Sequence, residues 1–173
     1  MNEDFERLVR THNAMLYRIA FNFLRDVPAA EEVVQEVFLK LYQRLDTIES
    51  PERVAAWLRR TATRQCLDVF KLRSRKRELP MEEVPELAAE TPDSDALLNE
   101  RMRRLVASLP EKQRMIVILR YGEDLDSDEI GAMLGMPSST VRNLLRRTLD
   151  LLREKTPQVL GGEIGGFIRR QTP

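Results

Sequence analysis

The sequence is short of most of what catalytic, metal-binding, secreted and membrane proteins require. Its 173 residues include one cysteine, Cys66, and one histidine, His12. A lone cysteine excludes an internal disulfide, and one residue of each kind cannot complete an ordinary structural zinc site. No triad or ligand spacing surrounds either, so both read as packing or surface residues. No run approaches the roughly eighteen consecutive apolar residues of a membrane span. The N-terminal Met1-Asn2-Glu3-Asp4 is acidic where a secretion signal would be basic. A cytoplasmic protein without membrane insertion is expected. Paired carboxylates, a nucleophile with its base, a Gly-rich phosphate loop and an alternating strand pattern are all missing, so no enzymatic activity and no cofactor are expected.

What the chain does contain is apolar residues at 42% and charged residues at 32%, ordinary for a soluble globular protein. The formal net charge is zero, which by itself argues against binding nucleic acid through bulk attraction. The order of the charges argues otherwise. From Trp57 to Arg77 stand Arg59, Arg60, Arg64, Lys71, Arg73, Arg75, Lys76 and Arg77 against Asp68 alone. From Glu78 to Glu100 stand Glu78, Glu82, Glu83, Glu86, Glu90, Asp93, Asp95 and Glu100 with no base. A basic element is followed by an acidic one, and the cancellation is arithmetic only.

Helical periodicity dominates. Phe5, Leu8, Val9, Met15, Leu16, Ile19 and Phe23 recur at three- and four-residue intervals, predicting a helix over Asp4 to Leu24. Pro28 interrupts, and Val33, Val34, Val37, Phe38, Leu41 and Leu45 predict a second helix from Ala29 to Leu45. Ser50-Pro51-Glu52 is a helix-start signal for a third, running through Trp57, a core anchor, to about Arg73. Pro80, Pro85 and Pro92 among acidic residues predict an extended linker. Further helices are expected over Asp95 to Leu109, Pro110 to Tyr121, Ser127 to Leu134 and Ser138 to about Lys155. The fold class is all-α: two small helical domains joined by an acidic linker, the second containing a helix-turn-helix.

That motif occupies Asp126 to Arg142. Asp126 or Ser127 can cap a short first helix whose apolar face is Ile130, Met133 and Leu134, and Gly135 supplies a left-handed end. Gly131 lacks a side chain where the two helices approach, and Ser138 can cap the second helix. Along that second helix Val141, Leu144, Leu145, Leu149, Leu151 and Leu152 form a buried side. Ser139, Thr140, Arg142, Asn143, Arg146 and Arg147 fall on or beside the other. Arginine can grip guanine and asparagine adenine by paired hydrogen bonds, and the N-terminal part of such a helix is what enters the major groove.

Three segments in order carry a resemblance to a known family: Ala30-Glu31-Glu32-Val33-Val34-Gln35-Glu36-Val37-Phe38, the helix from Trp57 to Arg77 with its basic end, and Leu109-Pro110-Glu111-Lys112-Gln113-Arg114 leading into the helix-turn-helix. The chain resembles, from about Phe5 to Glu154, the extracytoplasmic-function sigma factors, small members of the sigma-seventy family that confer promoter specificity on RNA polymerase. The resemblance implies that residues 1–77 are sigma region 2, that 78–100 hold the acidic linker and the start of the next helix, and that 101–155 are sigma region 4. Residues 156–173 are left as a flexible C-terminal tail outside it.

It further implies roles. Glu32, Gln35, Glu36 and Tyr42 match positions that bind the polymerase clamp. Arg59, Arg60, Arg64, Gln65, Asp68 and Lys71 lie where the family captures the unpaired non-template strand of the minus-ten element. The helix-turn-helix set would read the duplex minus-35 element. Many members carry asparagine in place of Arg64 and often an aromatic in place of Val69, so the resemblance does not fix the minus-ten preference. RNA polymerase core and promoter DNA are the implied partners, with an anti-sigma factor as the family commonly has. Two other readings stay open: a freestanding helix-turn-helix regulator, and a sigma-like interaction module that does not initiate transcription.

Overall fold

The computed structural model describes residues 2–44, 50–76 and 94–160. Among them are seven α-helices and one π-helical turn: α1 Asn2–Leu24, α2 Val27–Tyr42, α3 Pro51–Lys76, α4 Ser94–Ala107, α5 Glu111–Val117, the π-helical turn Ile118–Gly122, α6 Ser127–Leu134 and α7 Ser138–Leu160. The proline-rich acidic stretch from Glu78 to Asp93, and Leu45, lie outside the described residues.

Helices α1, α2 and α3 pack as a bundle. On α3 the buried residues Val54, Leu58, Ala62 and Cys66 are spaced by four, one ridge of a helix, and they meet Leu16, Ile19, Ala20 and Phe23 of α1 and Val33, Val37 and Leu41 of α2. Each fully buried Leu, Ile, Val or Phe contributes about 1.5–3 kcal/mol relative to exposure. Trp57 lies half-buried against this core rather than at its centre. Burial pushes the Cys66 thiol up to about 12, so it remains a neutral packing group.

The α1–α2 junction differs from the expected break at Pro28. Arg25 takes a left-handed turn at φ 55°. Asp26 then caps α2, its carboxylate accepting from the Ala29 N–H at 2.8 Å, and Pro28 sits inside the first turn, where no N–H is required. The same carboxylate takes Arg73 of α3 at 3.1 Å. Burial raises the Asp26 pKa, but the Ala29 N–H and the Arg73 guanidinium outweigh it, and the net shift is downward.

In the second half α6 begins with a capping box: Asp126 accepts from the N–H groups of Asp128 and Glu129, while the Glu129 side chain accepts from the Asp126 N–H. Gly135 ends it in the left-handed region at φ 66°. A Cβ on Gly131 would stand 2.6 Å from the Met136 carbonyl and 3.4 Å from the Ser138 nitrogen, so the close approach is to the turn and to the first residue of α7. Helix α7 opens on the Pro137 carbonyl, which accepts from Thr140 and Val141, and Ser138 is its first residue rather than its cap. It continues to Leu160, five residues into the segment expected as tail.

The predicted single helix from Pro110 to Tyr121 is instead α5 followed by the π-helical turn, which closes with the Leu125 N–H donating to the Leu119 carbonyl at 3.2 Å. This turn packs on α1, and α6 touches α3. As a result Met115, Ile116, Ile118, Leu119, Ile130, Val141 and Leu145 are buried in the same apolar cluster as the α1–α3 core. A second, smaller cluster of Leu105, Leu109, Val117 and Leu152 joins α4 to the far part of α7. The sequence pattern predicted two separate domains; the structure seats the second directly on the first.

Candidate nucleic-acid interface

The exposed surface of α7 follows from its buried one. Val141, Leu145, Thr148 and Leu152 are buried at spacings of three and four, with Leu144, Leu149 and Leu151 half-buried beside them. The remaining arc carries Ser139, Thr140, Arg142, Asn143, Arg146 and Arg147, all exposed. The α6 capping box and Gly135 fix the angle at which this arc leaves the body. Four cationic or amide heads, Arg142, Asn143, Arg146 and Arg147, within two turns can reach base edges or phosphates.

The candidate set on α3 does not lie on one surface. Arg60, Arg64, Asp68 and Lys71, spaced by four, four and three, form an exposed strip. Gln65 is half-buried and accepts a hydrogen bond from Lys40 Nζ of α2 at 2.7 Å; Lys40 also pairs with Glu36 at 3.3 Å. Arg59 turns toward the second half of the chain, where its Nε lies 3.9 Å from Glu123 Oε2. That Nε is buried without a hydrogen-bond partner, a condition that costs about 1–3 kcal/mol for a buried donor.

On α2 the candidates Glu32, Gln35 and Tyr42 are exposed and Glu36 is half-buried. Leu39, missed in the sequence pattern, stands out beside Tyr42 as a large exposed apolar side chain. Edge-on contact with Phe5, centroids 5.1 Å apart, holds the Tyr42 ring. Polar heads around exposed apolar side chains make a surface suited to a protein partner.

Sequence reasoning also missed the contacts between the two halves. Glu123, which the π-helical turn delivers to the interface, has a side chain 3% exposed and receives Arg18 of α1 at 2.7 Å. Arg25 pairs with Glu100 of α4 at 3.0 Å. Arg114 lies over the rings of Phe23 and Phe70, at 5.6 and 5.3 Å, and donates to the carbonyls of Phe23, Ala107 and Leu109. Arg18 and Glu123 are 105 residues apart, and no local pattern joins them. Beside this interface burial, then the Arg59 charge, lower the His12 pKa from 6.5. Among the described residues no cluster of His, Cys, Asp and Glu could hold a metal ion, and no helix is long and apolar enough to cross a membrane.

Known proteins match this arrangement in order. The model of Sigma-70 region 2 matches residues 8–78, and that of Sigma-70, region 4 matches residues 99–152. The chain is 33% identical over 156 residues to the RNA polymerase sigma-E factor of Streptomyces coelicolor, covering 88% of this chain and 85% of that protein. It is 32% identical over 159 residues to the ECF RNA polymerase sigma factor SigE of Mycolicibacterium smegmatis, covering 87% of this chain and 60% of that one. In fold it is similar to the sigma factor RpoE of Bartonella quintana, solved with the anti-sigma factor NepR, at a TM-score of 0.72 and 19% identity over 93% of this chain and 99% of that one. With both sigma regions present in sequence and in fold, the chain belongs to the extracytoplasmic-function group of the sigma-70 family of RNA polymerase sigma factors.

Proposed function

We propose that this sigma factor acts in the cytoplasm, without catalytic chemistry of its own, by bringing RNA polymerase core to promoters through two DNA contacts. The observation that carries the reading is the sorting of α7: leucines and Val141 inward, Ser139, Thr140, Arg142, Asn143, Arg146 and Arg147 outward behind a fixed helix-turn-helix. Those six side chains would read the duplex minus-35 element from the major groove. The α3 strip of Arg60, Arg64, Asp68 and Lys71, with Arg59 and Gln65, would hold the separated non-template strand at minus-ten. Unstacking costs a few kcal/mol per base step, and contacts to phosphates and extruded bases offset it.

The α2 surface supports polymerase binding over a freestanding regulator, because Leu39 and Tyr42 are exposed apolar side chains set among the polar Glu32, Gln35 and Glu36, a mixture suited to a protein partner. Residues 1–77 then serve as region 2 and 101–155 as region 4, with the acidic segment between them. RpoE and CnrH, whose folds this chain shares, are seen with NepR and with the cytosolic domain of CnrY, which supports an anti-sigma partner here too. Adding the purified chain to polymerase core on genomic promoter fragments should yield discrete transcripts. Only end-initiated or random transcripts would refute the reading.

A further inference from the structure

Helix α4 and the far end of α7 border an open hollow of about 510 Å³, lined by Arg101, Arg104, Leu105, Ser108 and Lys155. Arg101, Arg104, Leu105 and Ser108 share one stripe of α4 and the turn after it, at intervals of three and four. Lys155 follows the buried Thr148 and Leu152 of α7 by seven and three residues, which brings it to the side that packs on α4. The charge here is unbalanced. Glu100 is shared by three arginines, Arg25 at 3.0 Å, Arg104 at 3.2 Å and Arg103 at 3.8 Å, and one carboxylate cannot neutralise them with Arg101 and Lys155 besides. Glu100 takes Arg104 by its Nε and is itself held by Arg25, whose side chain is 9% exposed. That anchor leaves the two terminal amino groups of Arg104 as a fork, the geometry that suits phosphate. The Ser108 hydroxyl donates to the Leu105 carbonyl at 2.7 Å, so its oxygen can still accept.

We infer that this hollow binds a nucleoside polyphosphate, with Arg101, Arg104 and Lys155 on the phosphate chain and the nucleoside against Leu105, its sugar hydroxyl donating to the Ser108 oxygen. Three cations exceed the charge of about −1.5 to −2 on a single phosphate group, so a chain of phosphates matches them better. The volume exceeds what a bare anion fills and falls within the range of about 300–1,000 Å³ usual for small-molecule sites. The phosphates of the duplex read by α7 are a poorer match. Lys155 stands eight residues beyond Arg147, about 12 Å along the helix axis, and on the flank of the packed side rather than the exposed arc. The site goes beyond the promoter reading and does not rest on it.

The test is calorimetric titration of the full chain with ATP, inorganic pyrophosphate and adenosine as probes. ATP should bind one to one, pyrophosphate more weakly and adenosine not at all. Arg104→Ala and Lys155→Ala should each weaken ATP binding about tenfold, the loss of one charge-assisted hydrogen bond. Arg104→Lys, which keeps the charge without the fork, should fall between Arg104→Ala and the unaltered chain. Arg142→Ala should leave ATP binding unchanged, and Arg104→Ala should leave duplex binding by α7 unchanged in fluorescence anisotropy. No ATP binding, or ATP binding indifferent to both Arg104→Ala and Lys155→Ala, would overturn the site. Pyrophosphate binding as tightly as ATP would overturn the seat for the nucleoside. Equal losses of ATP and duplex binding in Arg104→Ala would make these cations contacts to the DNA backbone and overturn the nucleotide assignment.

Discussion

Helices α3 and α7 are the two basic helices of the molecule, of 26 and 23 residues, and each sorts apolar from charged residues by turns. They are used differently. Helix α7 gives its six candidate side chains to solvent together. Helix α3 divides its own: four on an open strip, Gln65 held by Lys40, and Arg59 turned to a carboxylate from the other half. The physical difference lies in what each helix packs against. Each helix packs on three others, α7 on α4, α5 and α6 and α3 on α1, α2 and α6, but only on α3 does a partner from the other half, Glu123, draw one of the candidate side chains. Periodicity says which residues of a helix are polar; the side chains that neighbouring elements present say which of those are available.

Leu58→Ala, in the α3 ridge, tests whether region 2 is the deeper foundation, and should cost about 2–5 kcal/mol in denaturant unfolding. Because the main cluster continues into α5, α6 and α7, one cooperative transition is expected for both halves. Two separate transitions would show that the halves are energetically independent.

Gly131→Ala should affect the α7 side of the comparison first. The new Cβ meets the Met136 carbonyl of the turn, for about 1–3 kcal/mol of overpacking. Duplex binding should fall more than single-strand binding, read by fluorescence anisotropy with both probes; equal losses would mean that the turn does not aim α7.

Arg142→Ala and Arg60→Ala set the helices against each other directly. A bidentate base contact from Arg142 predicts a loss of about 1–3 kcal/mol on a specific duplex and little on others. Arg60→Ala should weaken single-strand binding on all sequences and lower its salt slope by about 0.7. Exchanged behaviour would reverse the two assignments.

The smallest effect concerns His12, beside Arg59. Its folded pKa lies below 6.5, so the unfolded chain binds its proton more readily. Stability from this group is therefore present above pH 6.5 and is lost as the pH falls through that value toward the folded pKa. His12→Gln should flatten that part of a stability-against-pH curve while the α7 half is unaffected; an unchanged curve would show that His12 does not sense the interface.

The helices were legible because each buries one stripe, and α6 in particular because Asp126 and Gly135 mark both ends by local chemistry. Pro28 misled, since a proline breaks a helix interior but suits its first turn, and Asp26 just before it is the true start signal. The π-helical turn has no apolar signature, as Ile118 and Leu119 fit an α-helix equally well. The orientation of the α7 candidates could be read from composition by face alone. The diversion of Arg59, and the whole of the Arg18, Glu123 and Arg114 interface, could not, because those partners meet through packing between distant segments.

The burial of Cys66 also makes it a reporter. As the chain's sole thiol, fully buried in the α3 ridge and held protonated, it is invisible to alkylating reagents in the native molecule. Its labelling rate is therefore a built-in clock for transient breathing of region 2. Followed with and without DNA, that clock would time how often the foundation loosens, with no engineered reporter added.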